Sequence, residues 1–324
     1  MSRFSDFGNQ LYSGERSINF IGRRKLFYVI ALAMLALSVL LPAARGGFNF
    51  GIEFRGGSEY RVSASTVDST LVAENAVHSV KAGVQVNSTK IGNNTIRVQT
   101  PQLTDTESET VRLALAKAYK VNDSNVASSF IGPNWGEDIT SKAVSGLVTF
   151  VILAAILMAL YFRTLKMSAA ALLALLHDLV ITAGVYGALG FEVTPAAVIG
   201  FLTILGYSLY DTVVVFDKIR ENTLEVEFSE TATFAERVNL AINQTLVRSI
   251  NTSVVAVLPV AAILFIGAFV LGAGTLRDIS LALFIGIIVG TYSTIFIAAP
   301  FYSNLREGEA KYVKAAKKVL AKRT

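Results

Sequence analysis

The sequence predicts an integral membrane protein, an all-α bundle of six transmembrane helices with an extracytoplasmic α+β domain of ferredoxin-like fold between the first two helices. Of its 324 residues, 52% are hydrophobic and only 16% are charged, whereas a soluble domain carries about 25% charged residues. The apolar residues form six runs that can each cross a hydrocarbon core of about 30 Å. One polar stretch of domain size separates the first run from the second.

The first apolar run covers residues 26–44 and follows a basic triplet at 23–25. A cleaved signal peptide would have a shorter apolar core, and Pro42 is poorly placed for a small-residue cleavage site. We therefore predict a retained first helix at 26–44 behind an N-terminal segment at 1–25.

The other five spans lie in the segment 142–305. They are predicted at residues 143–162, 167–190, 193–216, 249–276 and 279–305. The third span contains His177 and Asp178, and the fourth contains Asp211. Ionisable groups are costly in hydrocarbon, so these three residues are candidates for function.

Basic residues predict that both termini are cytoplasmic. With the N-terminus inside, 18 of the 29 Lys and Arg residues fall on the cytoplasmic side, as the positive-inside rule requires. Most of the remainder lie in the polar domain, where the rule has little force. A loop at 217–248 and a basic tail at 306–324 are then cytoplasmic.

The polar segment 45–141 has the element order β-α-β-β-α-β, which is typical of a ferredoxin-like domain. Alternating apolar residues and turn signals predict strands at 58–64, from 84, around 96–98 and at 126–131, with a turn at 92–94. Helices are predicted at 67–81 and, behind a Thr104–Glu107 capping box, up to about residue 120.

The loop 217–248 contains a second capping box, Thr233 with Glu236. An apolar helical face follows it, formed by Phe234, Val238, Ala241, Ile242 and Thr245. This pattern fits an amphipathic helix on the inner membrane surface or a helix packed on the end of the bundle, and the sequence leaves both open. The basic tail favours contact with anionic lipid over contact with nucleic acid.

Asp211 is the strongest candidate for chemistry, because it lies well inside an apolar span. Tyr207 and Ser208, four and three residues earlier, share its helical face. A desolvated carboxyl without a partner binds a proton, whereas a nearby arginine keeps it ionised. A group balanced between these states can carry protons; the alternative is a fixed pair that only pins helices together.

Arg248 stands at the cytoplasmic start of the fifth span, and Asn251 and Thr252 share its face. Arginine keeps its proton in proteins, so it could tune Asp211 or exclude other cations. The alternative is an interfacial arginine whose charged end reaches the lipid headgroups.

Asp178 has Thr182 on its face, four residues later. Adjacent residues on a helix point in different directions, so the sequence predicts that His177 and Asp178 do not act as a pair. Asp178 could serve a proton pathway or could be structural, bonded to Thr182 or to backbone.

Several kinds of site are excluded. The chain has no cysteine and two histidines, so a thiolate nucleophile or a histidine-built metal centre is not expected. No phosphate-binding glycine motif is present, which argues against ATP hydrolysis. We predict no metal, no cofactor and no catalytic residue.

Several stretches resemble one family. Residues 206–222 read GYSLYDTVVVFDKIREN, similar to the SecF pattern G-Y-S-[LI]-N-D-[ST]-[IV]-V-[IV]-x-D-R-[IV]-R-E-N, which is long and specific. Residues 243–253, NQTLVRSINTS, resemble N-x-[ST]-[IL]-x-[QE]-T-[LI]-x-R-[ST] of the same proteins. Shorter resemblances are FNFGIEFRGG at 48–57 to G-[LI]-D-F-T-G-G, IGP at 131–133 to V-G-P, and HDLVIT at 177–182 to an H-D segment. The chain is thereby identified as a member of the SecF family, within the resistance-nodulation-division superfamily.

The resemblance implies a function. SecF proteins pair with SecD in a pseudo-symmetric bundle of twelve helices in the plasma membrane of bacteria and archaea. The pair uses the proton motive force to help the SecYEG channel and SecA export preproteins. On this resemblance Asp211 and Arg248 fall on the proton pathway, and Asp178 matches the third-helix motif; whether the coupling ion is a proton or sodium stays open.

The sequence departs from the family pattern at Glu53, Arg55 and Tyr210, where aspartate, threonine and asparagine are usual. The last departure changes the hydrogen bonding expected around Asp211. Two alternatives remain. One is a passive assembly factor without proton transport. The other is an intramembrane aspartyl protease, which is disfavoured because no Gly-x-Gly precedes Asp178.

Overall fold

A computed structural model describes residues 3–67, 69–91, 94–224, 226, 231–267 and 274–323. Its helices are α1 (Arg3–Ser13), α2 (Arg24–Ala44), α3 (Ile52–Arg55), α4 (Thr70–Val80), α5 (Asp105–Tyr119), α6 (Pro133–Phe162), α7 (Leu165–Leu189), α8 (Pro195–Thr223), α9 (Phe234–Ala262), α10 (Gly274–Ser293), α11 (Ala299–Glu307) and α12 (Ala310–Ala321). Its strands are β1 (Asn49–Phe50), β2 (Gly57–Val62), β3 (Asn87–Ile91), β4 (Thr95–Thr100), β5 (Val126–Ile131) and β6 (Glu192–Val193).

Six helical segments in the described part of the chain are long and apolar enough to cross a membrane, as the sequence predicts. The second span differs at its start, because α6 begins at Pro133, ten residues before the predicted limit. A proline at the first position of a helix is favourable, so the polar turns from 133 to 142 join the same helix. The predicted domain boundary at 141 therefore falls inside α6.

The predicted loop 217–248 is largely helical. The fourth span continues to Thr223, and the Thr233–Glu236 capping box starts α9, which runs without interruption to Ala262. The apolar face that begins at Phe234 is buried against the bundle. Of the two interpretations left open, packing on the end of the bundle is confirmed and a helix on the membrane surface is wrong.

The fifth and sixth spans each contain a short π-helical turn, at Ile263–Gly267 and Thr294–Ala298. The sixth span is therefore built from α10, the second π turn and α11. Residues 268–273 of the predicted fifth span lie outside the described residues. π-helical turns are rare in proteins as a whole, but those that do occur are often found at functional sites.

The polar domain contains a four-stranded antiparallel sheet in the order β3-β4-β2-β5. Helices α4 and α5 pack on one face of it around a core that includes Tyr60, Val98 and Leu115. Thr104 and Glu107 form the predicted capping box at the start of α5. In the predicted turn at 92–94, residues 92 and 93 lie outside the described residues.

A second, two-stranded sheet joins this domain to the bundle. Strand β1 follows the first span, and it pairs in parallel with β6, which connects α7 to α8. The short helix α3 then packs on the start of α6. The sequence does not predict β1, β6 or α3, because such short elements leave no periodic pattern.

The opposite end of the bundle carries the largest apolar core, and both chain ends contribute to it. Leu11 of α1 is fully buried, and Tyr312 of α12 packs on Phe234 with ring centroids 4.3 Å apart. The basic tail is therefore partly a folded helix whose apolar side is buried.

Glycines allow close helix packing at two places in the bundle. A Cβ at Gly286 of α10 would lie 2.2 Å from Ile204 of α8, and a Cβ at Gly184 of α7 would lie 2.2 Å from Ser38 of α2. Small residues at such contacts are the usual means by which membrane helices approach each other.

Candidate functional site

Asp211 lies inside the bundle on α8 and is only 5% exposed. Its Oδ1 accepts a hydrogen bond of 2.7 Å from the hydroxyl of Ser249 on α9. Its Oδ2 is buried and has no hydrogen-bond partner. Burying a charged oxygen without a partner is costly, so this carboxyl has one oxygen in a fixed contact and one that is available to a proton.

Arg248 does not form an ion pair with Asp211 in the described part of the chain. Consecutive residues on a helix are about 100° apart around its axis, so Ser249 faces Asp211 while the Arg248 side chain lies exposed on the outer surface of the bundle. The arginine directly precedes Ser249, so its positive charge belongs to the same turn of α9 that contacts Asp211. The sequence cannot decide between these two adjacent residues as the direct partner.

Asn251 and Thr252 follow Arg248 on the outward side of α9, exposed and half-buried respectively. The inward side continues instead through Ser253, four residues after Ser249. The hydroxyl of Tyr207 donates to Ser253 Oγ at 3.4 Å, and Ser253 also bonds to Thr291 of α10. Tyr207 is thus held next to the site, but through a serine.

Asp178 of α7 is fully buried, and both of its carboxylate oxygens have partners. Oδ2 accepts from Ser208 of α8 at 2.5 Å, and Oδ1 lies 3.2 Å from Nδ1 of His177. The expectation that His177 and Asp178 do not pair is wrong, because the imidazole folds back onto the neighbouring carboxylate. Thr182 donates to the backbone carbonyl of Asp178 and not to its side chain.

Ser208 therefore serves Asp178, although it shares a helical face with Asp211. Gly290 of α10 makes this possible, because a Cβ there would lie 3.2 Å from the Ser208 side chain and 3.6 Å from Asp178 Oδ2. One turn further, Thr212 bonds to Thr294 at 3.0 Å, at the start of the second π turn.

These groups form what we call the polar seam of the bundle, a row of buried or half-buried side chains where α7, α8, α9 and α10 meet. Its members are Asp178, Tyr207, Ser208, Asp211, Thr212, Ser249, Ser253, Thr291 and Thr294. Sequence reasoning missed Ser249, Ser253, Thr212, Thr291 and Thr294. The spacing of Ser249 and Ser253, one turn apart in an apolar helix, is the signal that could have identified two of them.

The polar seam holds two separate carboxyls and not a catalytic pair. Asp178 and Asp211 each have their own serine donor, and no hydrogen bond joins them in the described part of the chain. An aspartyl protease needs two carboxyls that share one proton, so the geometry does not support that alternative. Within the described residues, no group of three metal-binding side chains comes together.

Comparison with known families gives two matches. Residues 111–308 match the family described as protein export membrane protein SecD/SecF, C-terminal, and residues 46–66 match the SecD/SecF GG motif. The first match contains α6 to α11 and the whole polar seam. The second contains β1, α3 and β2.

Individual relatives cover most of the chain. It is 43% identical to the protein translocase subunit SecF of Streptomyces coelicolor, over all of this chain and 86% of that protein. It is 40% identical to SecF of Mycobacterium tuberculosis, over 98% of this chain and 73% of that one. It is 34% identical to the protein translocase subunit SecDF of Thermus thermophilus, over 92% of this chain but only 40% of that longer protein.

A solved structure has the same architecture. The crystal structure of SecDF, described as a translocon-associated membrane protein of Thermus thermophilus, matches with a TM-score of 0.76 at 31% identity. The match covers 90% of this chain and 39% of that chain.

Proposed function

Because this chain belongs to the SecD/SecF family of protein-export membrane proteins, as a protein translocase subunit of the SecF type, we propose that it uses the proton motive force to assist preprotein export. In this proposal it works beside the SecYEG channel and its motor SecA. The subunit itself is a proton-driven device and not an enzyme. Asp211 is the proton carrier.

One observation carries the proposal: the buried, unpartnered Oδ2 of Asp211 beside a hydrogen-bonded Oδ1. A carboxyl in this state can bind a proton on the free oxygen without losing its contact to Ser249. A positive charge near a carboxyl favours its ionised form, and Arg248 directly precedes the Ser249 that contacts Asp211. A group that can exist in either state inside an apolar bundle has the property that proton carriage requires.

We further propose that SecD covers the surface on which Arg248 lies. The apolar faces of α2, α6 and α9 are mostly exposed in this single chain. A groove of about 470 Å³ runs between α9 and α10, lined by Ile250, Val254, Ile288 and other apolar residues. The Thermus relative carries the name SecDF, and this chain matches only 40% of it, which leaves room in that protein for a second half of this kind.

We propose that the four-stranded sheet domain is ferredoxin-like, because its strand order and alternating helices follow that pattern. We propose that it lies outside the plasma membrane with both chain ends in the cytoplasm, from the distribution of basic residues. The domain limits at 45–141 and 142–305 would move only to allow for the early start of α6.

The test is export into inverted membrane vesicles with and without an imposed proton gradient, with this chain present or depleted. We expect the chain to stimulate export only when the gradient is present. Stimulation that persists after an ionophore collapses the gradient would identify a passive assembly factor instead. Stimulation by a sodium gradient at zero proton gradient would assign the coupling to sodium.

Arg248→Lys separates the two interpretations of the arginine. Lysine keeps the charge but lacks the planar guanidinium that can bind a carboxylate or a partner amide in two places. We expect export to lose most of its gradient dependence while the protein stays inserted. Arg237→Lys, at another arginine of α9, is the matched control. Unchanged export by Arg248→Lys would mean that the side chain only contacts lipid headgroups.

A further inference from the structure

A buried group of charged residues joins the four-stranded sheet domain to the bundle. Arg97 of β4 donates to Oε2 of Glu192 in β6, and both side chains are less than 8% exposed. The side-chain amide of Gln99, also on β4, donates to Glu192 at 2.8 Å and to Glu59 of β2 at 3.2 Å. These noncovalent side-chain contacts attach one face of the sheet to β6, which connects α7 to α8.

Glu192 is in turn fixed to the bundle. It is next to Val193, which is buried and accepts the backbone N–H of Gly51 at 2.9 Å. Thr194 caps α8 and donates to Asp278 of α10 at 2.9 Å. A contact from the sheet to Glu192 is therefore a contact to the membrane helices.

The covalent links to the domain are weaker constraints. Strand β1 and helix α3 are held on the bundle by β6 and α6, and the chain passes from α3 into the sheet through Gly56 and Gly57, which have φ values of 75° and 145°. Such a glycine pair can change conformation at low cost. The position of the sheet domain thus depends strongly on the contacts between Arg97, Gln99 and Glu192, which we call the junction bridge.

A third carboxyl lies against this bridge. Glu53 of α3 is partly buried, and its Oε2 is buried without a hydrogen-bond partner. The carboxylates of Glu53 and Glu192 both lie against Gly51. A Cβ at Gly51 would lie 3.2 Å from Glu192 Oε1 and still closer to Glu53 Oε2, so only a glycine leaves room for both.

The junction has more negative than positive groups. Glu53 faces Glu59 from β2, Glu192 from β6 and Arg97 from β4. Arg97 is the buried cation among these four, and Arg61, which pairs with Glu59, is largely exposed. Arg55 of α3 and Glu137 and Asp138 of the neighbouring helix α6 are exposed. A proton on Glu53 therefore relieves repulsion that the nearby cation does not fully cancel.

We propose that the junction bridge is a proton-dependent latch, which holds the sheet domain on the bundle while Glu53 is protonated and loosens when Glu53 ionises. The four-stranded sheet then swings about Gly56–Gly57 and the start of α6, while β1 stays paired with β6. This latch responds to the solution around the sheet domain. It does not require the proton route through Asp211, so either proposal can fail without the other.

The sign of the pH dependence follows from burial. Burial first, and then the neighbouring Glu192 and Glu59, raise the pKa of Glu53 above the ordinary value for glutamate, which is about 4.3. A raised pKa in the docked state means that docking is favoured below the ordinary pKa and loses this contribution as the pH rises through the raised one. The ratio of docked to undocked domain should fall by up to about tenfold per pH unit between the two values.

Because the chain has no cysteine, two introduced cysteines can carry spin labels without background. Suitable sites are Ser124, exposed on the sheet domain, and Leu189, 57% exposed at the end of α7. Pulsed electron paramagnetic resonance on the full chain in mild detergent should give one narrow distance at pH 4.5 and a broad, longer distribution at pH 8. Glu53→Gln, which mimics the protonated acid, should keep the narrow distance at both.

Glu137→Gln, at the exposed carboxyl of α6, is the matched control and should behave like the parent. Arg97→Met should broaden the distance at both pH values. A parent distance that does not change with pH would overturn the proposal, as would a Glu53→Gln variant with the full pH response of the parent. These two outcomes decide it even where Arg97→Met does not fold.

Discussion

Asp211→Asn is expected to give a folded, membrane-inserted protein, still bound to SecD, that has lost the stimulation of export by a proton gradient. The amide has nearly the shape of the protonated acid, and its oxygen can still accept the hydroxyl of Ser249. It cannot become an anion. The bundle should therefore be held in the packing that belongs to neutral Asp211.

The energy that a proton releases in crossing the membrane is large enough to account for this loss of gradient stimulation. A proton moving down the membrane potential yields about 2.3 kcal/mol per 100 mV. That energy reaches the helices only if ionisation changes what Asp211 binds. In the present packing Oδ2 has no partner and Arg248 is directed outward. The ionised state would favour a second packing, in which Oδ2 gains a polar partner from α9 or from SecD.

The measurement is the initial rate of export into inverted vesicles, with and without the gradient, alongside the amount of SecD that co-purifies. Asp217→Asn is the matched control on the same helix, because Asp217 is half-buried and bonds to Tyr161 at 2.6 Å outside the polar seam. We expect the control to keep its gradient stimulation. If Asp211→Asn keeps it too, Asp211 is only a structural partner of Ser249.

Much of the bundle could be predicted because long apolar runs leave a strong signal. The capping boxes at Thr104 and Thr233 also predict two helix starts correctly, since each needs only local hydrogen bonds. Composition cannot show that the helix starting after Thr233 continues into the membrane, because its first turns are polar and amphipathic. The early start of α6 is missed for the same reason.

The sequence predicts the ionisable residues of the candidate site and, from their helical spacing, Tyr207 and Ser208, but not the remaining hydroxyl side chains. Asp211 and Asp178 stand out in hydrocarbon, but their donors are serines, which occur throughout membrane helices. Whether Arg248 or Ser249 faces Asp211 depends on the rotation of α9, which is set by the packing of Phe234 and Val238 far from the site. The junction bridge joins β4 and β6 across more than 90 residues of chain, and no local pattern in a single sequence specifies such a contact.

Asp178→Ala is expected to destabilise the protein, in contrast to the functional loss caused by Asp211→Asn. Both oxygens of Asp178 have partners. Removing the carboxyl therefore leaves the hydroxyl of Ser208 and Nδ1 of His177 without this hydrogen-bond partner inside the bundle. Each buried polar group left unsatisfied costs about 1–3 kcal/mol. We expect the free energy of unfolding to fall by about 2 kcal/mol or more, with less protein accumulating in the membrane.

Asp178→Asn should recover much of that stability, because an amide offers one oxygen to Ser208 and one nitrogen to His177. Thermal unfolding of the purified chain in mild detergent measures the difference, and gradient-dependent export per inserted molecule measures function. We expect both variants to keep most of their gradient dependence on that normalised scale. The opposite pattern, unchanged stability with loss of gradient dependence, would place Asp178 on the proton route. Asp178 and Asp211 would then act one after the other in a single proton pathway. Ser208 and Asp211, one turn apart on α8, would connect them.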